Sequence, residues 1–326
     1  MNLNTIAKLA GVSVSTVSKA FSGSEEISMQ TKEHIFKIAR ENGCFEKYSK
    51  NKYEHKVIGV ICPEVNSDYY ANILTVLNRY ISAQGGVMIA AVSNFSTERV
   101  RELFTYFSVY GKVDGIIVIG LKAELNNSIN VPLVVMFSEI KCSNADAIKC
   151  DIRSSVEKAI ECFVANGHTR IGFAGEPLTR RKQEYYKEAM HRAGLIIRPS
   201  DIKISSRRFE AAGVEIMESW LEEKQPPTAI LAAYDYIAIG LARSIHRKGL
   251  RVPQDFSIIG MDDISVIPYM DISMSSIRTN TEEACRACVD LIMKKIDNQY
   301  YSSRQDIVIA TELVIRESVG KCPEGR

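Results

Sequence analysis

The first 23 residues constrain the fold most, because they predict two short helices joined by a tight turn. The first apolar stripe has the spacing of one helical face and consists of Leu3, Ile6, Ala7 and Ala10. Gly11 follows, where a helix can reverse at little steric cost. The second stripe consists of Val14, Val17, Ala20 and Phe21. Asn2 and Ser13 precede the two stripes and are suited to cap the helices. Such a pair is typical of a helix-turn-helix, which presents its second helix to the major groove of DNA.

A third helix and a linker are predicted next. Ser28 is suited to cap a helix that carries Ile35, Ile38 and Ala39 and stops near Gly43. Residues 45–56 are polar and basic and have no apolar period. We therefore expect a helical domain over residues 1–46 and a linker or hinge over residues 47–56.

The remainder of the chain alternates short apolar runs with helical stretches. Runs typical of buried parallel strands occupy residues 57–62, 87–92, 115–120 and 132–137 in a first series, and 170–175, 229–234 and 256–261 in a second. This alternation predicts an α/β fold with two doubly wound parallel-sheet subdomains. No long flexible segment separates the two series, so we expect several chain crossovers. The expected N-subdomain covers about 57–160 and 282–312, and the expected C-subdomain about 161–281 and 313–326.

Composition narrows the class of protein. A hydrophobic content of 46% and a charged content of 25% are ordinary for a soluble globular protein. Residues 1–57 contain nine Lys or Arg against six Glu, so the weakly basic end of the chain favours an anionic partner there. No apolar run is long enough to span a membrane and no signal peptide is recognisable, so we expect a cytoplasmic protein with reduced cysteines. Cys285 and Cys288 form a CxxC, but within one amphipathic helix and without a second ligand pair, so no metal is expected.

The N-terminal segment AGVSVSTVSKAFSG resembles the A-G-V-S-x-x-T-V-S-R-x-L-N signature that opens bacterial transcription regulators of the lac-repressor family. Further blocks similar to the family follow in family order: VDGIIVIG, NGHTRIGFAGE, PPTAILAAYD, FSIIGMDD and ATELVIRES. The later blocks share their fold with periplasmic sugar-binding proteins, and only the N-terminal helices separate the two groups. The resemblance implies a sequence-specific DNA-binding regulator, most often a repressor, with a periplasmic-binding-protein-type body.

The resemblance also implies which side chains meet DNA. Those expected at base edges are Val14, Ser15 and Lys19. Val14 offers an apolar contact for a thymine methyl, the Ser15 hydroxyl suits either base pair, and the Lys19 ammonium suits guanine acceptors. Many relatives have Arg at the position of Lys19, so a bidentate contact becomes a point-charge contact here. Short polar side chains suited to phosphates or to helix capping are Asn2, Ser13, Thr16 and Ser22.

The linker departs most from the family pattern. Relatives carry an A-R-x-L hinge helix whose Leu enters the minor groove, whereas the matching stretch here runs from Lys50 to Tyr53. One interpretation makes Tyr53 the minor-groove wedge, with Lys50 and Lys52 on phosphates. The alternative is a solvated tether, which the missing Ala and Arg favour.

A small effector is expected between the subdomains, at the carboxyl ends of the strands. The positions that match family ligand contacts are Tyr69, Tyr70, Lys182, Tyr234, Asp235 and Asp262. Arg180 and Arg181 flank Lys182, and three consecutive cations suit a sugar phosphate better than a neutral sugar. The alternative interpretations make Asp235 and Asp263 helix N-caps, residues 179–182 a solvated loop, and Tyr234 a cleft-filling ring.

An enzyme is not expected. Asp262 and Asp263 form a carboxylate pair and His168 is a conceivable base, but adjacent side chains on an extended backbone face apart. His168 lies at a helix-to-strand corner where the family has a structural histidine, and no common catalytic motif occurs. The sequence thus predicts a homodimeric regulator without cofactor that binds double-stranded DNA at a near-palindromic operator and responds to a sugar or sugar phosphate. The alternatives are a carbohydrate-sensing protein without DNA function and a regulator controlled by a protein corepressor.

Overall fold

A computed structural model describes residues 2–48, 55–111, 113–120, 122–127, 131–138, 140–297 and 303–323. The chain divides into two compact units, Met1–Lys56 and Val57–Arg326. Tyr53 and the rest of the predicted minor-groove segment, residues 50–53, lie outside the described residues.

The first unit is helical. Its elements are α1 (Leu3–Ala10), α2 (Val14–Phe21), α3 (Met29–Glu41) and α4 (Phe45–Tyr48). Asn2 caps α1 by accepting the backbone N–H of Thr5 at 3.0 Å, and Ser13 caps α2 by accepting that of Thr16 at 3.0 Å. Gly11 makes the turn between them in the left-handed region, at φ 64°. The local signals that predicted the two helices therefore have their expected geometry.

The linker begins later than predicted, because α4 belongs to the helical unit. The Phe45 ring packs edge-on against Phe36 at 5.3 Å and also contacts Phe21 at 5.9 Å. The Tyr48 ring lies 5.9 Å from Phe21. The two aromatic rings of this helical turn complete the core of the unit, and the linker predicted over residues 47–56 therefore overlaps the end of the turn.

The second unit contains two α/β subdomains. The N-subdomain contains β1 (Lys56–Cys62), α5 (Asp68–Ala83), β2 (Gly86–Val92), α6 (Thr97–Thr105), β3 (Gly115–Ile119), β4 (Leu133–Met136) and β5 (Asp146–Cys150). These five strands and a later one, β11 (Asp306–Ile309), form a six-stranded sheet among the described residues. β3 pairs in parallel with β1 and with β4, as the sequence pattern predicts for buried strands.

The C-subdomain begins with α7 (Ile152–Ala165), β6 (Ile171–Gly175), α8 (Arg180–Arg192), β7 (Ile202–Ile204), α9 (Phe209–Leu221), β8 (Ala229–Ala232), α10 (Asp235–Arg247), β9 (Ser257–Asp262) and β10 (Ser275–Thr279). The chain then returns to the N-subdomain for α11 (Thr281–Ile296) and β11 (Asp306–Ile309), and ends with β12 (Thr311–Val314) in the C-subdomain. The described strands of this sheet run in the order β12-β10-β9-β8-β6-β7, with β12 antiparallel to β10.

The described chain crosses between the subdomains three times, and the first and third crossings differ from the predicted boundaries. The first lies between β5 and α7, near residue 151 rather than 160, because the apolar face of α7 packs into the core of the C-subdomain through Val156, Ile160 and Phe163. The third lies between β11 and β12, near residue 310 rather than 312. An amphipathic helix shows that one of its faces is buried but not which sheet buries it.

The buried face of α11 contains both cysteines of the CxxC. Cys285 and Cys288 are fully buried among apolar side chains of the N-subdomain, and burial raises the pKa of Cys285 to about 12. Both are thiols suited to packing rather than to reactivity. Among the described residues, no helix combines the length and the apolar composition that a membrane span requires.

Candidate functional site

The exposed face of α2 contains the side chains predicted to read bases. Val17, Ala20 and Phe21 are buried and fix the orientation of the helix. Ser15 and Lys19 are exposed about one turn apart on the opposite face, where a double helix could meet them.

Besides the capping residues, two further predicted DNA contacts, Lys19 and Ser22, have partners within the unit. The Lys19 ammonium forms an ion pair with Glu26 in the loop after α2. The Ser22 hydroxyl donates to the Lys19 carbonyl oxygen at 3.0 Å and thereby caps the end of the helix. A phosphate contact through the Ser22 hydroxyl therefore requires exchange of this bond.

A cleft of about 770 Å³ opens between the subdomains, beside the carboxyl ends of their parallel strands. Its wall on the N-subdomain includes Glu64, Tyr69, Tyr70, Phe95 and Phe137. Its wall on the C-subdomain includes Glu176, Lys182, Arg208, Phe209, Tyr234, Tyr236 and Asp262. Aromatic rings and paired charges thus dominate the lining of this pocket, as in other small-molecule sites.

The backbone of the cleft wall is strained. Six non-glycine residues of the described part have positive φ angles, and four of them line the cleft: Phe95 at 59°, Phe137 at 52°, Phe209 at 57° and Asp262 at 100°. Left-handed backbone is costly for residues with a Cβ and clusters at ligand sites, where the surrounding fold sustains it. Three large rings and one carboxylate are thereby directed into the same space.

Tyr69 and Tyr70 lie in the first turn of α5 and line the cleft, as predicted. Their rings pack edge-on at 5.1 Å, and Tyr70 also packs against Phe95 at 6.2 Å. Burial, and then the charge of Asp262, raise the pKa of both phenols above their usual range. Both rings are therefore neutral and suited to apolar or hydrogen-bonding contacts.

Lys182 and Asp262 meet in the cleft. The Lys182 Nζ donates to the Ala233 carbonyl oxygen at 2.7 Å and to Asp262 Oδ1 at 3.3 Å. The side chains are 21% and 17% exposed, and both line the cleft. A ligand hydroxyl could therefore donate to the carboxylate or accept from the ammonium.

The three predicted cations all line the cleft but have different partners. They occupy the first three positions of α8, and successive side chains on a helix diverge by about 100°. Arg180 is paired with Glu184, and its side chain is 85% exposed, whereas the Arg181 Nε donates to the Tyr185 hydroxyl at 2.5 Å. Only Lys182 is directed to Asp262, so the physical basis for a phosphate-binding cluster is weaker than the sequence indicates.

Asp235 is not in the cleft lining, which corrects its prediction as an effector contact. It is fully buried and accepts hydrogen bonds from the Ser276 hydroxyl at 2.7 Å and the Ile264 N–H at 2.9 Å. Burial, and then the charge of Asp262, raise the pKa of its carboxyl well above the usual value. Asp235 fastens the loop after β9 rather than capping α10, whose cap position is Tyr234.

Asp263 is also neither a ligand contact nor a helix cap. Its carboxylate pairs with Arg278 at 2.6 Å and with Arg316 at 2.7 Å, while the Asp262 carboxylate is directed to Lys182. The two neighbouring carboxylates thus serve different partners, and the suggested acid pair for catalysis does not form.

The charged cleft residues that were not found from the sequence include Arg208, Glu64 and Glu176. Arg208 donates to both oxygens of Glu64, at 2.7 and 3.0 Å, and its Nε donates to Glu176 Oε1 at 3.3 Å. The predicted Tyr234 joins them, since its hydroxyl donates to Glu176 at 3.2 Å and accepts the Phe209 N–H at 3.0 Å. Glu64 and Glu176 each lie just beyond a strand end, which is the same signal that pointed to Asp262.

His168 is structural rather than catalytic. It is 1% exposed, and its Nε2 is 3.1 Å from the Gly320 carbonyl oxygen, which can only accept, so this nitrogen carries the hydrogen. Its Nδ1 is then the acceptor of the Thr228 hydroxyl at 2.9 Å. The ring joins the C-terminal segment to the C-subdomain and lies outside the cleft lining.

The comparisons with known proteins agree with both units. Residues 2–43 match the family described as bacterial regulatory proteins, lacI family, and residues 160–319 match the periplasmic binding protein-like domain. The chain thus combines a lacI-family helix-turn-helix domain with a periplasmic-binding-protein-like domain. It is 28% identical to the ribose operon repressor of Haemophilus influenzae, over 97% of this chain and 98% of that protein.

Further regulators match along nearly the whole chain. The identity to the transcriptional repressor CytR of Escherichia coli is 27%, over 98% of this chain and 97% of that protein. The lac repressor dimer, solved bound to operator and the anti-inducer ONPF, has a TM-score of 0.73 and 20% identity, and the match covers 98% of this chain and 99% of that chain. These curated relatives are transcriptional repressors, and the structural likeness shows a shared fold.

Proposed function

We propose that this protein is a lacI-family repressor that binds a near-palindromic operator as a homodimer, and that a small carbohydrate-type effector in its cleft modulates the affinity for DNA. The family match over residues 2–43 and the repressors among its full-length relatives support the DNA-binding part. Each protomer supplies one α2 helix, so two half-sites related by a twofold axis are required.

The observation that carries the effector proposal is the convergence of four left-handed, non-glycine residues on one aromatic cleft. A protein that used this face only for packing would gain nothing from such backbone strain. The rings of Tyr69, Phe137 and Phe209 suit the C–H faces of a sugar, and Asp262 suits its hydroxyl groups.

The ion pairs of Arg208 and Lys182 in the cleft favour an uncharged polyol over a sugar phosphate at this position. Arg208 is held by Glu64 and Glu176, and Lys182 by Asp262, so the inner cations are already balanced. A phosphate bound there would face three carboxylates, which disfavour a second anion at short range. The effector-bound arrangement would be selected from a pre-existing equilibrium and would change how the paired helical domains engage the two half-sites.

The DNA-binding part is tested by selecting binding sites from a pool of random-sequence duplexes with the full chain. We expect enrichment of sites with twofold sequence symmetry. A pool that stays unenriched, in the presence and absence of sugars, would favour a sensing protein without DNA function.

The effector part is tested by a thermal-shift panel of matched sugars and sugar phosphates on the full chain, because a ligand that binds only the native state raises the melting temperature. We expect neutral sugars to give the larger shifts. Asp262→Asn should weaken the best ligand by about tenfold or more, the worth of one charge-assisted hydrogen bond. The exposed Asp271→Asn is the matched control. If phosphates alone shift the melting temperature, the charge argument is wrong, and if no small molecule does, control by a protein corepressor is favoured.

A further inference from the structure

Arg208 connects the two walls of the cleft. It precedes α9 in the C-subdomain, whereas Glu64 follows β1 in the N-subdomain. Two parallel bonds of 2.7 and 3.0 Å join the guanidinium to the Glu64 carboxylate in the bidentate geometry that fixes both groups. The pair therefore exists only when the subdomains are close together.

The guanidinium lies over one aromatic ring of each subdomain, and 32% of the Arg208 side chain remains exposed. Its carbon lies 4.8 Å from the ring centroid of Phe95 in the N-subdomain and 4.6 Å from that of Phe209 in the C-subdomain. Each subdomain thus supplies one ring and one carboxylate, since Glu176 of the C-subdomain accepts from the Arg208 Nε. A planar cation held between two rings and two acids has the contacts that such a pocket would offer to a planar ligand.

The two carboxylates are buried, with side chains only 9% and 4% exposed for Glu64 and Glu176. Hydrogen bonding to Glu64 raises the pKa of Arg208 above its already high ordinary value, so the guanidinium stays protonated. Removing the guanidinium would leave two poorly solvated anions facing each other, which is strongly unfavourable.

Two backbone N–H groups donate hydrogen bonds from one subdomain to the other, so they can be used to detect whether the cleft is closed. The Asp68 N–H donates to the Tyr236 hydroxyl at 3.3 Å, and the Ser265 N–H donates to Asp68 Oδ2 at 3.1 Å. Both bonds cross from one subdomain to the other beside the Glu64 loop. Their hydrogens are protected from exchange only while the cleft is closed.

We propose that Arg208 is an internal latch that holds the two subdomains closed in the absence of an effector. Its guanidinium occupies the space beside the Phe95 and Phe209 rings, here called the aromatic slot. This inference goes beyond the proposed function and holds whatever the effector is. An effector that reaches the slot must displace the guanidinium from the rings. The free energy of breaking the latch therefore reduces the apparent affinity for that effector.

The test is hydrogen exchange, read by mass spectrometry, on the full chain without ligand. In Arg208→Ala we expect peptides that contain Asp68 and Ser265 to exchange about tenfold faster or more, while peptides from β3 and β9 keep their wild-type rates. The matched control is Arg207→Ala. Arg207 pairs with Glu215 inside the C-subdomain and its side chain is 68% exposed, so neither peptide should change.

Chemical rescue separates the latch from simple packing. Millimolar methylguanidinium chloride should slow exchange of both peptides in Arg208→Ala, and sodium chloride at equal ionic strength should not. Wild-type exchange rates in Arg208→Ala would overturn the proposal, and so would faster exchange that methylguanidinium leaves unchanged. If Arg208→Ala also speeds exchange in β3 and β9, the variant has disturbed the fold as a whole, and Glu64→Gln is used instead because it keeps the side-chain volume. Unchanged exchange at Asp68 and Ser265 in Glu64→Gln would then overturn the proposal.

Discussion

At the scale of single residues, Lys19, which is predicted to contact DNA, has an internal competitor. Its ammonium pairs with Glu26 on the exposed surface, where an ion pair contributes only about 0–1 kcal/mol and is screened by salt. Guanine acceptors and phosphates can therefore displace Glu26 at low cost. The loop after α2 thus holds Lys19 in place without preventing base readout.

We predict that Lys19→Ala weakens specific operator binding by about 1–3 kcal/mol, because a base-edge contact is lost. Binding to random duplex should fall much less. The measurement is fluorescence anisotropy on a selected site and on a scrambled duplex at one fixed salt concentration. Glu26→Gln is the companion variant, and it should retain or improve specific binding because the competitor is removed. Equal losses on both duplexes in Lys19→Ala would contradict base readout.

At the scale of elements, α4 shows how a segment with a polar sequence can still complete a core. Four residues are too few to form a stable helix alone, so the turn exists because tertiary contacts hold it. Phe45 packs on Phe36 and Phe21, and the Arg40 guanidinium lies 4.4 Å from the centroid of its ring.

We predict that Phe45→Ala destabilises the helical unit by about 1–3 kcal/mol, less than a fully buried phenylalanine because Phe45 is half-buried. Native-state hydrogen exchange at Val17 and Ile35 in the full chain measures the effect, since both residues lie in the core that Phe45 covers. Lys47→Ala, on the exposed side of the same turn, is the control. Wild-type exchange in Phe45→Ala would mean that the linker begins before Phe45.

At the scale of the whole molecule, the C-terminal segment is fastened across the C-subdomain. Ser318 accepts the Ser275 N–H at 2.8 Å through its hydroxyl, which donates to the Ile258 carbonyl oxygen at 2.6 Å. The His168 ring holds the neighbouring Gly320. Burial lowers the pKa of this histidine below its usual value of 6.5.

We predict that acid weakens the fold through His168. The unfolded histidine binds a proton below about pH 6.5 more readily than the folded one, so stability is full above that pH and is lost as pH falls towards the folded pKa. The loss is about 1.4 kcal/mol for each unit of difference between the two pKa values. Urea unfolding of the full chain between pH 5 and 8 measures it.

The controls for this prediction are two glutamine variants. His168→Gln should be less stable than wild type at pH 8 and should show a smaller loss on acidification. His191→Gln, at the exposed end of α8, should retain the wild-type dependence on pH. An identical acid dependence in His168→Gln and wild type would exclude His168 as the cause.

Local signals in the sequence determined much of this protein. Short-range signals predicted α1 and α2, namely the caps at Asn2 and Ser13, the left-handed Gly11 and the apolar stripes. The motifs of the lac-repressor family then identified the helix pair as a DNA-binding helix-turn-helix. The buried strands were recognisable because a strand covered on both faces is continuously apolar. Tyr69, Tyr70, Lys182, Tyr234 and Asp262 were found because they match ligand positions of the lac-repressor family, and all five line the cleft.

Only the tertiary structure decided which side chains are paired and which are accessible. Asp235 and Asp262 are the same residue type after neighbouring strands, yet one is fully buried and the other faces the cleft, because the loop after β9 folds over the first. Arg208 and Glu64 are 144 positions apart, and nothing local relates them. Sequence determines what forms between neighbours along the chain, whereas ion pairs across a cleft depend on how two separately formed sheets come together.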